Sequence, residues 1–519
     1  MTTDITNILG RKFPEKVFNR VLKPYKGIHN STIAGTRVGT AYQPTYVSRK
    51  TKRFFDSVEA LLDVLPLRNG MSISFHHALR NGDNIVLPIV EALASYGINN
   101  ITLATTALFP VHTPLIEFIQ SGVIGRIEGS VNGPLGNAIS REEVKVPTIL
   151  RSHGGRTRAV QEGSLPVDVT FIAASACDFI GNLTGMIGKN AFGSLGYPLE
   201  TDSLYANIVV GVTDTVINEP LVHVSIPSSR VDYVLEVDKI GDPEKIASGS
   251  LGRKPSPQRL GIAETVVQVM EHSGYLNDGF NWQAGAGGMS LAASQYLKEL
   301  MADKNIHGGY IFGGIATNSV KMLEEGLFTA IYDAQSFDLG AIESLHRNEN
   351  HVEISIDHAY NPFNKACIAL NTDFTVLGAT EIDLNFNVNV NTFSNGLLNS
   401  GIGGHQDAAR AKVSMIVVPV ARKVPSILDS VTTVSTPGDS IDLIITDGGI
   451  ALNPHPTPKR LRIEKRLRKA KLNLRTINEL KEESHSIVSP ISPEFTSDIT
   501  TLVEYRDGTY LDVIYSITD

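Results

Sequence analysis

DVTFIAASACDFIGN (residues 168–182) and DFTVLGATEIDLNFN (residues 373–387) decide how this chain is read, because they align without a gap. At one fixed offset Asp168 falls on Asp373, Thr170 on Thr375, Ala174 on Ala379, Asp178 on Asp383 and Asn182 on Asn387. A nearly equal offset lays LIEFIQSG, ending at Gly122, over KMLEEG, ending at Gly326. Matching polar residues at strand ends is a stronger sign of repetition than matching valines. Short β-rich runs alternate with helical patterns around both copies: MSISF before IVLPIVEALASYG in the first, GGYIFGGIA before SVKMLEEGL in the second. That order predicts βαβ units and mostly parallel sheets. The expected fold is therefore α/β, with two tandem open-sheet lobes of related topology.

The bulk numbers agree. A chain of 519 residues exceeds one hydrophobic core, and 42% hydrophobic with 19% charged residues fits a well-packed globular protein. A net charge of −8 gives no general reason to bind nucleic acid, and no apolar run is long enough to span a bilayer. The start, MTTDITNILGRKFPEK, lacks a secretory apolar stretch, and the two cysteines, Cys177 and Cys367, lack metal-ligand spacing. A cytoplasmic protein without a metal is expected. From Asn453 the composition changes: NPHPTP reads as a connector, KRLRIEKRLRKAKLNLR as a basic stretch, and TTLVEYRDGTYLDVIYSI as a β-hairpin turning at Asp507-Gly508. The basic stretch is either a solvated helix or a docking face for an acidic protein. Expected domains are an N-terminal extension (1–45), the first lobe (46–250), the second lobe (251–455) and the basic segment with its hairpin (456–519).

Several stretches suit chemistry. From Ile382 to Val390 apolar and polar residues alternate, and Glu381 stands in phase with the polar face. It is either a solvated residue of a half-buried strand or a carboxylate placed for reaction; its counterpart in the first lobe is Ala176, which favours the second reading. SGIGGHQD places Gly401, Gly403 and Gly404 in a loop fit for a tight turn or an anion-binding nest. QAGAGGMS places Gly285, Gly287 and Gly288 between a strand and a helix, without dinucleotide-binding spacing. RSHGGRTRAVQEG sets Arg151, His153, Arg156 and Arg158 about two glycines, an exposed basic loop or a carboxylate and phosphate grip. SFHHALRNGD sets His76, His77 and Arg80 at the end of the first strand, where adjacent histidines point apart and do not suit a metal. His112 and His405 stand alone.

Taken in order, SFHHALRNGD, ALFPVH, HGGRTRA, FGSLGY, DGFNWQAGAGG, MLEEGLF, GATEIDLNFNVN, GGHQDAA and VEYRDGT resemble the citrate lyase alpha-subunit family over nearly the whole chain. The resemblance implies a tandem CoA-transferase fold, related to ribose-5-phosphate isomerase, and a citrate:acetyl-carrier-protein transferase of citrate fermentation. Citrate enters, acetate leaves, and an acetyl-thioester becomes a citryl-thioester. The thioester would sit on a phosphoribosyl-dephospho-CoA group owned by a gamma acyl carrier subunit. A beta subunit would cleave the citryl-thioester, and a homo-oligomer is implied.

Within the wider CoA-transferase pattern ATEIDLNFNV puts Glu381 on the superfamily glutamate, and GIGG puts Gly401, Gly403 and Gly404 on the following loop. Gly285, Gly287 and Gly288 would supply a second set of amides, and Arg151, Arg156 and Arg158 would meet citrate carboxylates or carrier phosphates. Glu381 would either form an acyl-glutamyl anhydride or orient a direct attack by citrate. The same motifs suit a citramalate transferase, and more distantly an enzyme using free acyl-CoA. Two lobes and the paired motifs count against a sugar-phosphate isomerase.

Overall fold

A computed structural model describes residues 3–30, 53–141, 144–247, 256–284 and 288–518. The first lobe is built on a seven-stranded sheet in the order Phe54–Phe55, Tyr233–Glu236, Ile208–Thr213, Val169–Ala174, Ser72–Phe75, Ile101–Thr105, Ile124–Ile127, every neighbouring pair parallel. The second lobe has a nine-stranded sheet, in which Phe280–Ala284 and Phe374–Gly378 pair at the centre. Gly449–Leu452 runs antiparallel to its neighbour Leu443–Thr446 near one edge. Val169–Ala174 and Phe374–Gly378 are the two aligned stretches, each buried among parallel neighbours, which explains their unbroken apolar character.

The repeat holds to the level of single hydrogen bonds. Past each central strand the chain enters a small three-stranded sheet: Ala176–Asp178 between Leu183–Thr184 and Val216–Ile217, and Glu381–Asp383 between Val388–Asn389 and Ile427–Leu428. Asp178 Oδ1 accepts from the N–H of Ile180 and Asn182, and Asp383 Oδ1 from those of Asn385 and Asn387. Asn182 and Asn387 each donate from Nδ2 to the other oxygen of their aspartate, and each accepts a backbone N–H, from Ser228 and Gly438. Asp168 and Asp373 likewise accept from Ser72 and Asn281 at the start of the adjacent strand. A short polar side chain that satisfies its own turn explains why these residues repeat.

One local expectation fails here. The alternating run Ile382–Val390 is not one half-buried strand, because Asp383 folds residues 384–387 into a turn with Phe386 at φ +66°. Of its polar residues only Asn385, at the turn, is exposed: Glu381 and Asn389 are fully buried, and Asp383 and Asn387 are nearly so. Hydrogen bonds inside the turn replace water.

Residues beyond 455 go to two places. The basic helix Pro458–Lys469 buries Ile463 and Leu467 against the second lobe and pairs Arg460 with Asp442 at 3.0 Å, leaving Leu461 exposed. Strand Leu474–Arg475 then joins the second sheet beside Gly449–Leu452. The hairpin Phe495–Glu504 and Tyr510–Ile517 instead pairs with Thr148–Leu150 of the first lobe. The N-terminal arm is laced to the same hairpin: Asn7 donates to the Leu511 carbonyl, and Tyr25 N–H to that of Tyr510. Both chain ends thus brace the seam. Among the described residues no helix is long and apolar enough to cross a membrane, and no cluster of histidine, cysteine or acidic side chains could hold a metal.

Candidate active site

Helix His153–Gln161 starts at the seam, capped by Ser152, whose Oγ accepts the Gly155 N–H at 3.0 Å. Two more of its first amides cross to the other lobe. His153 N–H donates to the Gly403 carbonyl at 2.9 Å, and Gly154 N–H to Asp407 Oδ2 at 3.0 Å. So close an approach leaves no room for a Cβ: one on Gly154 would lie 2.2 Å from the Tyr360 carbonyl oxygen, one on Gly401 2.1 Å from Ser130. Burial raises Asp407 to about 6, although Arg506 lies 3.3 Å away and Gly154 and Ser152 donate to it. The HGGRTRA, GGHQDAA and VEYRDGT stretches thus converge on one point.

Above that point lies a cleft of about 430 Å³ between the lobes. One wall is the loop Gly401–Gly404, with Gly403 in the left-handed region at φ +62°. The backbone N–H groups of Gly401, Ile402, Gly403 and Gly404 donate to no acceptor among the described residues, so they are available to an anionic ligand. The other wall carries His77, Arg80, His153 and Tyr197. The Arg80 guanidinium lies 5.0 Å from the Phe109 ring and 5.1 Å from that of Phe337, which fixes its place. Burial, with His153 and Arg80 close by, holds His77 well below the usual histidine range. Burial, aided by Arg156, pushes His153 down to about 3. His405 bridges the Gly378 carbonyl from Nε2 and Thr436 Oγ1 from Nδ1, and burial lowers it to about 4. These rings are neutral at pH 7, and hydrogen-bond rather than carry charge.

The expected site residues divide. His153, Arg80, Gly401, Gly403 and Gly404 meet in the cleft. Arg151, Arg156 and Arg158 are not an exposed loop, because they lie on or beside the buried helix and their charges are taken up inside the protein. Arg151 binds Glu128 at 2.6 Å and Glu504 at 2.8 Å, Arg158 reaches Glu504 at 2.5 Å, and Arg156 makes a bidentate pair with Asp202 at 2.8 and 2.9 Å. Burial pushes the Glu504 carboxyl up, yet Arg151 and Arg158 hold it below its ordinary value. His76 is buried beside Phe192 rather than on the cleft wall.

Glu381 is also off the wall. Asn389 Nδ2 and Thr432 N–H both donate to its Oε2 at 2.9 Å, and Thr432 Oγ1 donates to Oε1 at 3.1 Å. Gly288 opens helix Gly288–Lys304, whereas Gly285 and Gly287 lie outside the described residues. Tyr197 and Gln335, both lining the cleft, went unread in the sequence. FGSLGY was noticed as a motif, but only folding sets its tyrosine against His153.

Residues 51–517 match the family model described as citrate lyase, alpha subunit. The citrate lyase alpha chain of Klebsiella pneumoniae is 40% identical over 503 residues, 96% of this chain and 96% of that protein. The Escherichia coli alpha chain is 39% identical, covering 92% and 93%. A crystal structure of a Streptococcus mutans citrate lyase alpha subunit in complex with citrate superposes with a TM-score of 0.93 at 38% identity, over 99% of this chain and all of that one. At 16% identity a 4-hydroxybutyrate CoA-transferase from Porphyromonas gingivalis shares the fold, with a TM-score of 0.52 over 84% of this chain and 98% of that one.

Proposed function

The chain belongs to the citrate lyase alpha-subunit family, and from that premise we propose that it exchanges acetate for citrate on a carrier-borne thioester, working in the inter-lobe cleft. The observation that carries this is the row of unengaged amides from Gly401 to Gly404, facing Arg80 and His77 across a cleft the size of a small polycarboxylate with a thioester end. Arg80 would hold a citrate carboxylate, as would His77 from its cleft-side nitrogen.

A second carboxylate oxygen of citrate attacks the acetyl-thioester carbonyl. The amides of the glycine loop take the oxyanion, the C–S bond breaks, and the carrier thiolate leaves a citryl-acetyl anhydride. The thiolate then attacks the citryl carbonyl, the anhydride C–O bond breaks, and acetate departs. Atoms and charge balance without an added reagent, and holding both partners in one enclosed cleft lowers the barrier by proximity.

Glu381 acts in this scheme as a brace. Its three donors and full burial support direct attack by citrate over an acyl-glutamyl intermediate. The thioester is that of a phosphoribosyl-dephospho-CoA arm on a gamma subunit, a beta subunit cleaves the product, and the alpha subunits assemble as a homo-oligomer in the cytoplasm. Arg151, Arg156 and Arg158 build the wall behind the cleft instead of gripping citrate. Gly285, Gly287 and Gly288 are proposed to face the thioester arm.

The test is acyl exchange followed by mass spectrometry, with the full chain, citrate and acetylated carrier protein, beside Glu381→Gln. Citryl-carrier and acetate are expected from the parent. The variant should keep exchange at a rate reduced about tenfold, since it loses an acceptor but no nucleophile. An acylated Glu381 peptide, or a variant slower by a further thousandfold, would restore the covalent route. No citryl-carrier from the parent, with citryl replaced by citramalyl when citramalate is supplied, would move the substrate.

A further inference from the structure

We infer that Gln335 and Tyr197 fix which nitrogen of His153 bears its proton, and that the resulting bare Nδ1 is the acceptor for the tertiary hydroxyl of a hydroxy-tricarboxylate. Gln335 is the immobile end of this chain of hydrogen bonds. Gln335 Nε2 donates to the His77 carbonyl at 3.1 Å, and a carbonyl can only accept, so the amide orientation is settled. Its Oε1 therefore accepts, and takes the Tyr197 hydroxyl hydrogen at 3.0 Å. The Tyr197 oxygen has no other hydrogen to give. Its 3.2 Å contact with His153 Nε2 is then a bond donated by the imidazole. His153 is consequently the Nε2–H tautomer, and Nδ1 presents a lone pair.

Nothing among the described residues donates to that lone pair, and Nδ1 is not among the atoms sealed from solvent without a partner. The ring lines the cleft, wedged edge-on against Tyr197 at 4.9 Å between centroids and stacked over His77 at 5.7 Å. Several facing groups are donors: Arg80 has only N–H groups, and the Gly401–Gly404 amides meet no acceptor among the described residues. At His77 the Thr106 hydroxyl accepts the backbone N–H at 3.0 Å and meets Nδ1 at 2.7 Å, which leaves Nε2 as the ring nitrogen without a hydrogen-bond partner among the described residues. His153 Nδ1, like Asn132 Oδ1 and Ser130 Oγ in the same lining, offers an acceptor among these donors and so suits a ligand that carries a donor of its own. Ionised citrate is such a ligand: its carboxylates only accept, and its hydroxyl alone donates. Tyr197 and Gln335 are positioning residues, and His153 is the specificity contact.

This inference rests on the citrate reading of the cleft, and its test separates the two. Titration calorimetry with the full chain compares citrate with tricarballylate, the same tricarboxylate without the hydroxyl. The parent should bind tricarballylate about tenfold to a hundredfold more weakly, the discrimination expected where a polar group of the site is left unpaired. This arm needs no variant. Tyr197→Phe frees the imidazole to change tautomer, so citrate should weaken about tenfold while tricarballylate changes less than twofold.

Equal binding of both acids by the parent would overturn the inference and leave the citrate reading standing. Equal weakening of both acids in a folded Tyr197→Phe variant would reduce Tyr197 to a structural prop and also overturn it. Binding of neither acid by the parent would overturn the citrate reading itself, and this inference with it.

Discussion

The two lobes carry matching loops into the cleft from opposite sides. The offset that aligns the central strands also lays Gly196 on Gly401, Tyr197 on Ile402 and Asp202 on Asp407. Each glycine rests on the other lobe: a Cβ on Gly196 would lie 2.4 Å from the Ala334 carbonyl oxygen, and one on Gly401 2.1 Å from Ser130. Ser130 and Ala334 are themselves counterparts at the slightly shorter offset that joins Gly122 to Gly326. The seam is thus an approximately reciprocal contact, and the cleft is what its two loops enclose. Their difference assigns the work. The first lobe supplies a hydroxyl and aromatic rings; the second supplies free amides.

The aspartates sharpen that contrast most strongly. Asp202 accepts both terminal nitrogens of Arg156 and also bonds Ser74, and those partners outweigh burial to keep its carboxyl below the usual range. Asp407 has one arginine, Arg506, at 3.3 Å, and burial wins. Asp202→Asn should therefore strand a buried guanidinium and cost about 4 kcal/mol of stability, whereas Asp407→Asn, which still accepts from Gly154, should cost about 1 kcal/mol. Urea unfolding of both variants at pH 7 decides it. Equal losses would mean that the two positions do the same job.

The reciprocal glycines come next. Gly196→Ala and Gly401→Ala each force the lobes apart and should each cost about 2 kcal/mol by overpacking. Acyl exchange should separate them further. Gly401→Ala displaces the amides that meet the oxyanion and should lower the rate about a hundredfold, while Gly196→Ala acts only through Tyr197 and should lower it about tenfold. If the ranking reversed, the chemistry would belong to the first lobe's loop.

What could be read beforehand follows from the range of each interaction. The alternation of strands with helices and the Asp-Asn turns depend on residues a few positions apart, so Asp178 with Asn182 and Asp383 with Asn387 were visible as a pattern. The glycine loop was legible because the left-handed φ of +62° at Gly403 and the close approach of Ser130 to Gly401 both favour glycine. The arginines misled because their partners lie far along the chain. Glu504 is over three hundred residues from Arg151 and Arg158, and nothing local distinguishes an arginine awaiting a ligand from one answered by a distant hairpin. The surroundings of Glu381 were hidden for the same reason, since Thr432 reaches it from the next crossover. Tyr197 could be found only by asking what faces His153.

A pH-dependent difference lies where the first lobe's loop is tied down. Glu353, at the end of strand His351–Glu353, accepts the Leu195 N–H at 2.5 Å, two residues before Tyr197, whereas Ser400, the counterpart of Leu195, donates its N–H to the Asn391 backbone carbonyl at 3.1 Å. Burial raises its carboxyl to about 7, against 4.5 for the free group, despite the Leu195 amide. Between those values the folded chain keeps a proton that the unfolded chain has released, so stability falls as pH rises from about 4.5 to about 7 and levels off above. Glu353→Gln imitates the protonated form and retains an oxygen for Leu195. It should match the parent at pH 4.5 and exceed it by about 3 kcal/mol at pH 8, read as the difference between two pH series of urea midpoints. Parallel series would show that Glu353 titrates in the folded chain as it does in the unfolded one, and that the two loops are held by equally indifferent anchors.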